Sequence, residues 1–322
     1  MKKMISLVVS VYNEEQGLQR FYDTTRQILE EYTQQSGVYT YELCFVNDGS
    51  RDRILEILED FRRQNPEHVT LISFSRNFGH EAAMTAGLDY ASGDYLIFLD
   101  ADLQHPPALV PRITACFEKG FRVINMVRTK NASAGWLKNL TSEAFYAVIN
   151  HMSDMKLEAA ASDFFAIDRT AAEVLRKNYR EKVRFLRGYV QNIGFRKTTL
   201  DYEAADRVAG SSHYSIRKLW KFSIDTIICF SNLPLKLGIY AGLGTGFLGV
   251  MLIIYTLLTR GGAPSGYATI VIVLCFMFAV LFLLVGIIGE YIAILFSSMK
   301  DTPIYIVENL EHCGTEPQQS DN

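Results

Sequence analysis

Two kinds of apolar pattern alternate over the first hundred residues. Ile5 to Val11, Tyr41 to Val46, Val69 to Phe74 and Tyr95 to Leu99 are short, nearly continuous runs rich in β-branched and aromatic residues, the pattern of strands buried on both faces. Between them apolar residues recur at helical spacing. Leu18, Phe21, Tyr22, Thr25, Ile28, Leu29 and Tyr32 share one helix face, Ile54, Leu55, Leu58 and Phe61 share a second, and Glu81 to Ala91 forms a third helix. A βαβα order predicts an α/β fold with a mostly parallel sheet, helices on both faces and ligands outside the carboxyl ends of the strands.

A different pattern takes over near the carboxyl terminus. Leu237 to Thr259 and Tyr267 to Gly289 contain no charged residue. At about 1.5 Å per residue, each makes a helix long enough for a hydrocarbon core of roughly 30 Å. The connector Arg260 to Gly266 (RGGAPSG) breaks the helix, so the two segments form a transmembrane hairpin with both flanks on one side. Lys236 and Lys300 bracket the pair and Arg217, Lys218 and Lys221 precede it, against one Arg260 in the connector, which places the large domain in the cytoplasm. Ahead of the hairpin, Ile216, Leu219, Trp220, Ile227 and Phe230 line one helical face with the basic residues on another, which suits a helix lying in the headgroup layer. The expected organisation is a cytoplasmic catalytic domain over 1–212, an amphipathic helix over 213–232, a hairpin over 233–300 with spans at about 235–259 and 267–296, and a cytoplasmic tail over 301–322. Gly242, Gly246 and Gly249 permit close helix approach in the bilayer, and a homo-oligomer is expected.

Charge and cysteine usage narrow the class. A net charge of -3 with no basic runs argues against nucleic acid as a partner. Lys2 and Lys3 precede an apolar stretch, but Asn13, Glu14 and Glu15 cut it short, so the amino terminus reads as a first strand and not a signal peptide. Cys44, Cys116, Cys229, Cys275 and Cys313 lie far apart without a Cys-x-x-Cys pair, which fits reduced thiols in a cytosolic setting.

The candidate chemistry lies where strands end. The run Tyr95 to Leu99 finishes in Asp100 and Asp102, one residue apart, and in an extended backbone those side chains point the same way. Neighbouring carboxylates repel and resist burial, so a cation held between them and an anionic ligand is the natural reading. Gln104 adds an amide oxygen, and His105, Pro106 and Pro107 stop the strand. Asn47, Asp48, Gly49 and Ser50 form a tight turn after the second strand, where Asp48 can accept hydrogen bonds from a base or ribose and Ser50 or Asp52 can cap the next helix. Tyr12, Asn13 and Glu14 end the first strand on the same edge.

On these residues the chain resembles the family 2 glycosyltransferases, and more closely the polyprenyl-phosphate glycosyltransferases related to dolichol-phosphate mannose synthase, the bactoprenol glycosyltransferase type. The matching text is SVYNEE (Ser10 to Glu15), FVNDGSRD (Phe45 to Asp52), SRNFGHEAAMTAGLDYASGD (Ser75 to Asp94), DADLQHPP (Asp100 to Pro107), SDFFAIDR (Ser162 to Arg169) and GEY (Gly289 to Tyr291) with its hairpin. The resemblance implies a GT-A fold with a nucleotide-sugar over the sheet edge. Ser10, Tyr12, Glu14, Asp48 and Ala101 would lie at the nucleotide, and Asp100, Asp102 and Gln104 would hold Mg²⁺ or Mn²⁺ against the diphosphate. Oxygen ligands suit both ions.

The same resemblance implies a polyprenyl phosphate such as undecaprenyl phosphate as acceptor, Asp163 as the residue orienting attack or accepting a proton beside the metal-binding Asp102, and Arg128, Arg207 and His213 as phosphate contacts, with Arg184 and Arg187 as further candidates. Four positions depart from the pattern: Ser10 stands where proline is usual, Phe165 and Ile294 where arginine is, and His213 where lysine is. The expected activity is inverting transfer of a sugar from a nucleotide-sugar, expected to be a UDP-sugar, to the lipid phosphate at the cytoplasmic face of the cell membrane, supplying cell-envelope glycosylation. A chain-extending polysaccharide synthase and a catalytically silent nucleotide-binding scaffold remain as alternatives.

Overall fold

The computed structural model describes residues 2–128, 161–181, 185–203, 266–299 and 302–315, with isolated positions between 240 and 258. The chain divides into two units, one holding residues 1–146, 155–214 and 302–322, the other 147–154 and 215–301.

The first unit is built on eight strands: β1 (Lys3–Val11), β2 (Tyr39–Asn47), β3 (Val69–Phe74), β4 (Tyr95–Asp100), β5 (Val123–Arg128), β6 (Ala161–Asp168), β7 (Lys197–Tyr202) and β8 (Val307–Glu311). Their spatial order is β7-β5-β6-β4-β1-β2-β3-β8. β1 pairs in parallel with β2 and β4, β2 with β3, and β5 with β7, so the sheet is mostly parallel as expected. The helices α1 (Glu15–Ser36), α2 (Ile54–Gln64) and α3 (His80–Tyr90) occupy the predicted crossovers. Later come α4 (Val110–Glu118), α5 (Arg169–Asn178) and α6 (Leu186–Asn192). The core forms where the inward faces of these helices meet the sheet, with Leu18, Phe21, Tyr22, Phe45, Leu58 and Phe61 all buried. Tyr22 stacks on Phe61 at 3.9 Å between centroids.

α3 packs close to the sheet, and its buried residues include Ala82, Ala83, Ala86 and Gly87. A Cβ at Gly87 would sit 2.1 Å from Val8 Cγ1, so any larger residue would push the helix outward. That close seat fixes the position of the amino-terminal end of α3, where His80 and Glu81 stand.

Three features differ from the sequence reading. First, β4 ends at Asp100, and Asp102 falls in a turn with Leu103 at φ 60°, so strand alternation does not set the relation of the two aspartates. Second, β6 runs antiparallel to both β4 and β5, a reversal that no local periodicity encodes. Third, residues 302–315, expected as part of a C-terminal tail, return to the sheet. β8 adds to the sheet edge antiparallel to β3, and Tyr305 stacks on Phe74 at 5.1 Å. The buried Arg62 clamps the segment, with its guanidinium donating to the carbonyls of His312 (2.7 Å) and Thr315 (2.6 Å) and to that of Pro66, and its Nε lying 3.7 Å from Glu311.

In the second unit, α7 (Tyr267–Met299) is a single helix of 33 residues, about 50 Å long at the α-helical rise, and its 276–293 stretch is apolar enough to cross a membrane. Most of the first expected span, the amphipathic helix over 213–232, and Gly242, Gly246 and Gly249 lie outside the described residues.

Candidate functional site

Three strand ends meet at one edge of the sheet because of register. Ser10 pairs with Asp100 across β1 and β4, and Val11 pairs with Asn47 across β1 and β2. The antiparallel β6 brings its beginning, not its end, to the same edge. Phe98 pairs with Phe165, and extending that register by two residues puts Asp163 opposite Asp100. Asp100, Asp102, Asp48, Ser10, Tyr12 and Asp163 therefore share one edge of one unit.

The turn after β2 is tightly laced. Gly49 has φ 62°, and a Cβ there would lie 2.3 Å from the backbone carbonyl carbon of Arg76, so only glycine fits. The Asn47 side chain accepts from Ser50 N (3.0 Å), Asn13 accepts from Arg51 N (2.9 Å), and Asp52 accepts from Ile54 N (3.3 Å) at the start of α2. Asp48 is buried, and its carboxylate accepts from Phe78 N (2.6 Å), Gly79 N (2.9 Å) and Asn77 Nδ2 (2.9 Å). Burial pushes its pKa up, while the two backbone donors pull it back down. This carboxylate, expected beside the nucleoside, also organises the 76–79 loop that leads into α3.

At the end of β4 the donors are oxygens. The Asp100 side chain is 40% exposed. Asp102 uses Oδ1 to accept from Gln104 N at 3.0 Å. The buried His105 underpins the turn, stacked on Phe164 at 5.0 Å. Its Nδ1 accepts from Asp100 N at 3.1 Å, so that nitrogen carries no proton and its 3.6 Å approach to Asp100 Oδ2 is not an ion pair. Among the described residues no three His, Cys, Asp or Glu side chains gather closely enough to form a metal site of their own. Two carboxylates and an amide still fit a hard divalent cation, since such ions are commonly held by one or two carboxylates with ligand phosphates and water completing the shell.

Opposite Asp100, Asp163 faces two basic groups. Arg187 Nη1 lies 3.4 Å from its Oδ1, and His80 Nε2 lies 3.9 Å from its Oδ2. The other nitrogen of His80, Nδ1, is 2.9 Å from Ser10 Oγ. Burial disfavours charge on the His80 ring, but the carboxylates of Asp100, Asp163, Glu81 and Asp48 outweigh it and raise the pKa. Glu81 accepts from Leu186 N at 2.8 Å, and burial lifts its pKa to about 7. His80, Glu81 and His105 are the residues that sequence reasoning did not single out. Ser10, a departure from the expected proline, was the one available signal.

Of the remaining candidates, Tyr12 is 43% exposed at the end of β1 and Glu14 precedes α1. Ala101 is buried just after β4, and Arg128 closes β5 on the surface. Arg184, Arg207 and His213 lie outside the described residues.

Residues 6–176 match the family described as Glycosyl transferase family 2, and residues 233–295 match the GtrB C-terminal hairpin. The chain is 38% identical over 306 residues to the uncharacterized glycosyltransferase YkcC of Bacillus subtilis (strain 168), covering 94% of this chain and 93% of that protein. It is 36% identical over 309 residues to the bactoprenol glucosyl transferase of Shigella phage SfV, covering 95% and 98%. It is 33% identical to the prophage bactoprenol glucosyl transferase homolog of Escherichia coli (strain K12), covering 95% and 99%. Among solved structures, glucosyl-3-phosphoglycerate synthase from Mycobacterium tuberculosis, in complex with Mn²⁺, UDP and phosphoglyceric acid, superposes with a TM-score of 0.49 at 18% identity, over 70% of this chain and 76% of that one.

Proposed function

Because the chain belongs to glycosyl transferase family 2 and carries the GtrB-type hairpin, we propose that it moves a sugar from a UDP-sugar to a polyprenyl phosphate, with inversion, at the cytoplasmic face of the membrane. The observation that carries this reading is the placement of two kinds of group on one sheet edge. Asp100 and Asp102 lie at the end of β4, and Asp163 lies across from them on β6 with Arg187 and His80 beside it. The first set suits a donor diphosphate with its counter-ion, the second an incoming phosphate nucleophile.

In the proposed reaction an oxygen of the acceptor phosphate attacks the anomeric carbon. The bond from that carbon to the nucleoside diphosphate breaks, and its electron pair leaves on the β-phosphate oxygen. A phosphate monoester has a second pKa of about 6 and is largely ionised near neutrality, so a strong base is not required. Asp163 orients the nucleophile and takes up the proton that the monoanionic fraction carries. Asp100, Asp102 and Gln104 would hold Mg²⁺ or Mn²⁺, which when bound supplies Lewis-acid stabilisation of the departing diphosphate. The exposed ring of Tyr12 offers a stacking face for the base. Phosphate contacts from Arg128, Arg207 and His213, and homo-oligomeric assembly through the hairpin, belong to the same proposal.

The names of the phage relatives make UDP-glucose and undecaprenyl phosphate the first pair to test. Full-length protein in vesicles containing the lipid phosphate is expected to release UDP and form a glucosyl lipid only with a divalent ion present. Asp102→Ala should abolish both. Undiminished transfer by that variant, or by wild type in excess chelator, defeats the metal-held donor. A polymeric product points instead to a synthase.

A further inference from the structure

His80 is the first residue of α3, whose small-residue face holds it tightly against β1 and β2, and the loop before it is pinned by three hydrogen bonds to Asp48. Its backbone therefore has little freedom. Its ring is fixed as well, since Nδ1 meets Ser10 Oγ at 2.9 Å. A hydroxyl donated to Nδ1 leaves the proton on Nε2, and that nitrogen faces Asp163 Oδ2 at 3.9 Å. Arg187 takes the other carboxylate oxygen at 3.4 Å. Each oxygen of Asp163 thus has one basic nitrogen nearby, and the two nitrogens come from different elements.

We propose that His80, with its ring set by Ser10, is a positioning residue that holds the Asp163 carboxylate in the orientation the acceptor needs. This rests on the reading of Asp163 given above. It also accounts for Ser10: a proline there would have no hydroxyl, and the imidazole would be free to rotate away from Asp163. The contact reaches from the end of β1, on the donor side, across β4 to β6, on the acceptor side.

A pair of substitutions separates positioning from a packing role. In His80→Gln the side-chain amide occupies the place of Nε2 and keeps a donor toward Asp163, whereas in His80→Asn it occupies the place of Nδ1 and keeps only the Ser10 contact. With UDP-glucose and undecaprenyl phosphate in vesicles, Gln is expected to stay within about threefold of wild-type kcat and Asn to fall at least about 30-fold, with donor KM unchanged in both. Adding His80→Asn to Asp163→Asn should cost nothing further, since the two act as one unit.

Equal kcat for Gln and Asn, a change confined to donor KM, or full additivity with Asp163→Asn overturns the role of His80 and leaves that of Asp163 standing. Full activity of Asp163→Asn by itself overturns both. Thermal melting of each variant reports folding separately, and should the Asn protein fail to fold, Ser10→Ala supplies the second arm. It removes only the hydroxyl that sets the ring, and it is expected to lower kcat about fivefold at unchanged melting temperature; unchanged kcat overturns the proposal.

Discussion

The two halves of the sheet use buried charge in opposite ways. In the half made of β1 to β4 and β8, apart from the site carboxylates Asp100 and Asp102, the buried charged groups Asp48, Glu42 and Arg62 are engaged by their own chain. Asp48 has three donors, and Glu42, fully buried, accepts from Ser6, from Thr70 Oγ1 at 2.6 Å and from Ser92 N at 2.9 Å. Arg62 is spent on the carbonyls that hold the returning strand. In the half made of β5, β6 and β7, Asp163 is 36% exposed and faces Arg187 and His80 at 3.4 and 3.9 Å, beyond the range of strong hydrogen bonds. Saturated groups set the shape of an edge; a carboxylate oriented by its neighbours but not saturated by them is available to a ligand.

The sharpest way to break this comparison is to remove a charge from each half. Arg62→Ala should leave the carbonyls of Pro66, His312 and Thr315 without their charged donor and remove the cation beside Glu311, at a cost of about 3–5 kcal/mol in unfolding by denaturant, with β8 released from the edge. Truncation after Asp301 should reproduce most of that loss, and a truncated protein as stable as the full chain would show that the strand is not part of the fold. Asp163→Asn is expected to behave in the reverse manner, slowing turnover about 100-fold, or roughly 3 kcal/mol in the barrier, at an unchanged melting temperature. Asp48→Asn lies between them in kind and below them in size. It keeps the shape but turns one of two accepting oxygens into a donor facing an N–H, so about 2 kcal/mol of stability should be lost together with order in the 76–79 loop, read by amide hydrogen exchange.

The same division explains what could be read before any coordinates. β1 to β4 and α1 to α3 follow one another in chain order with short crossovers, so periodicity alone locates them, and the aspartates at their ends stand out because a run of apolar residues stops there. The reversal of β6 is a tertiary fact: Ala161–Asp168 has the composition of a strand in either direction, and only pairing on both sides fixes which end meets the site. β8 was hidden for a related reason. Val307–Glu311 is short and half polar, which suits an edge strand but also a loop, and its partner Arg62 is about 250 residues away in sequence. His80 was missed because a histidine opening a helix has no motif of its own. Asp48 reads from sequence only as a turn carboxylate, and its three donors from the 76–79 loop are tertiary contacts that no local pattern encodes.

Glu81 stands at the boundary between the halves, on α3 but turned toward β6 and α6, and it offers the smallest and most specific test. Burial raises its pKa from 4.5 to about 7, and the Asp163 carboxylate adds to the rise, while Leu186 N, His80 and Arg187 oppose it. Between those two values the folded protein keeps a proton that the unfolded chain has released. Its contribution to stability is therefore complete below about pH 4.5 and is lost as the pH rises toward 7, by no more than about 1.4 kcal/mol per pH unit. Glu81→Gln cannot titrate and still offers an oxygen to Leu186 N, so the difference in unfolding free energy between wild type and variant should grow steadily from about pH 5 to 6.5 in favour of the variant. Parallel pH profiles would mean that Glu81 is already ionised at pH 5 and satisfied like Glu42, which would move the boundary between the two kinds of edge to β6 itself.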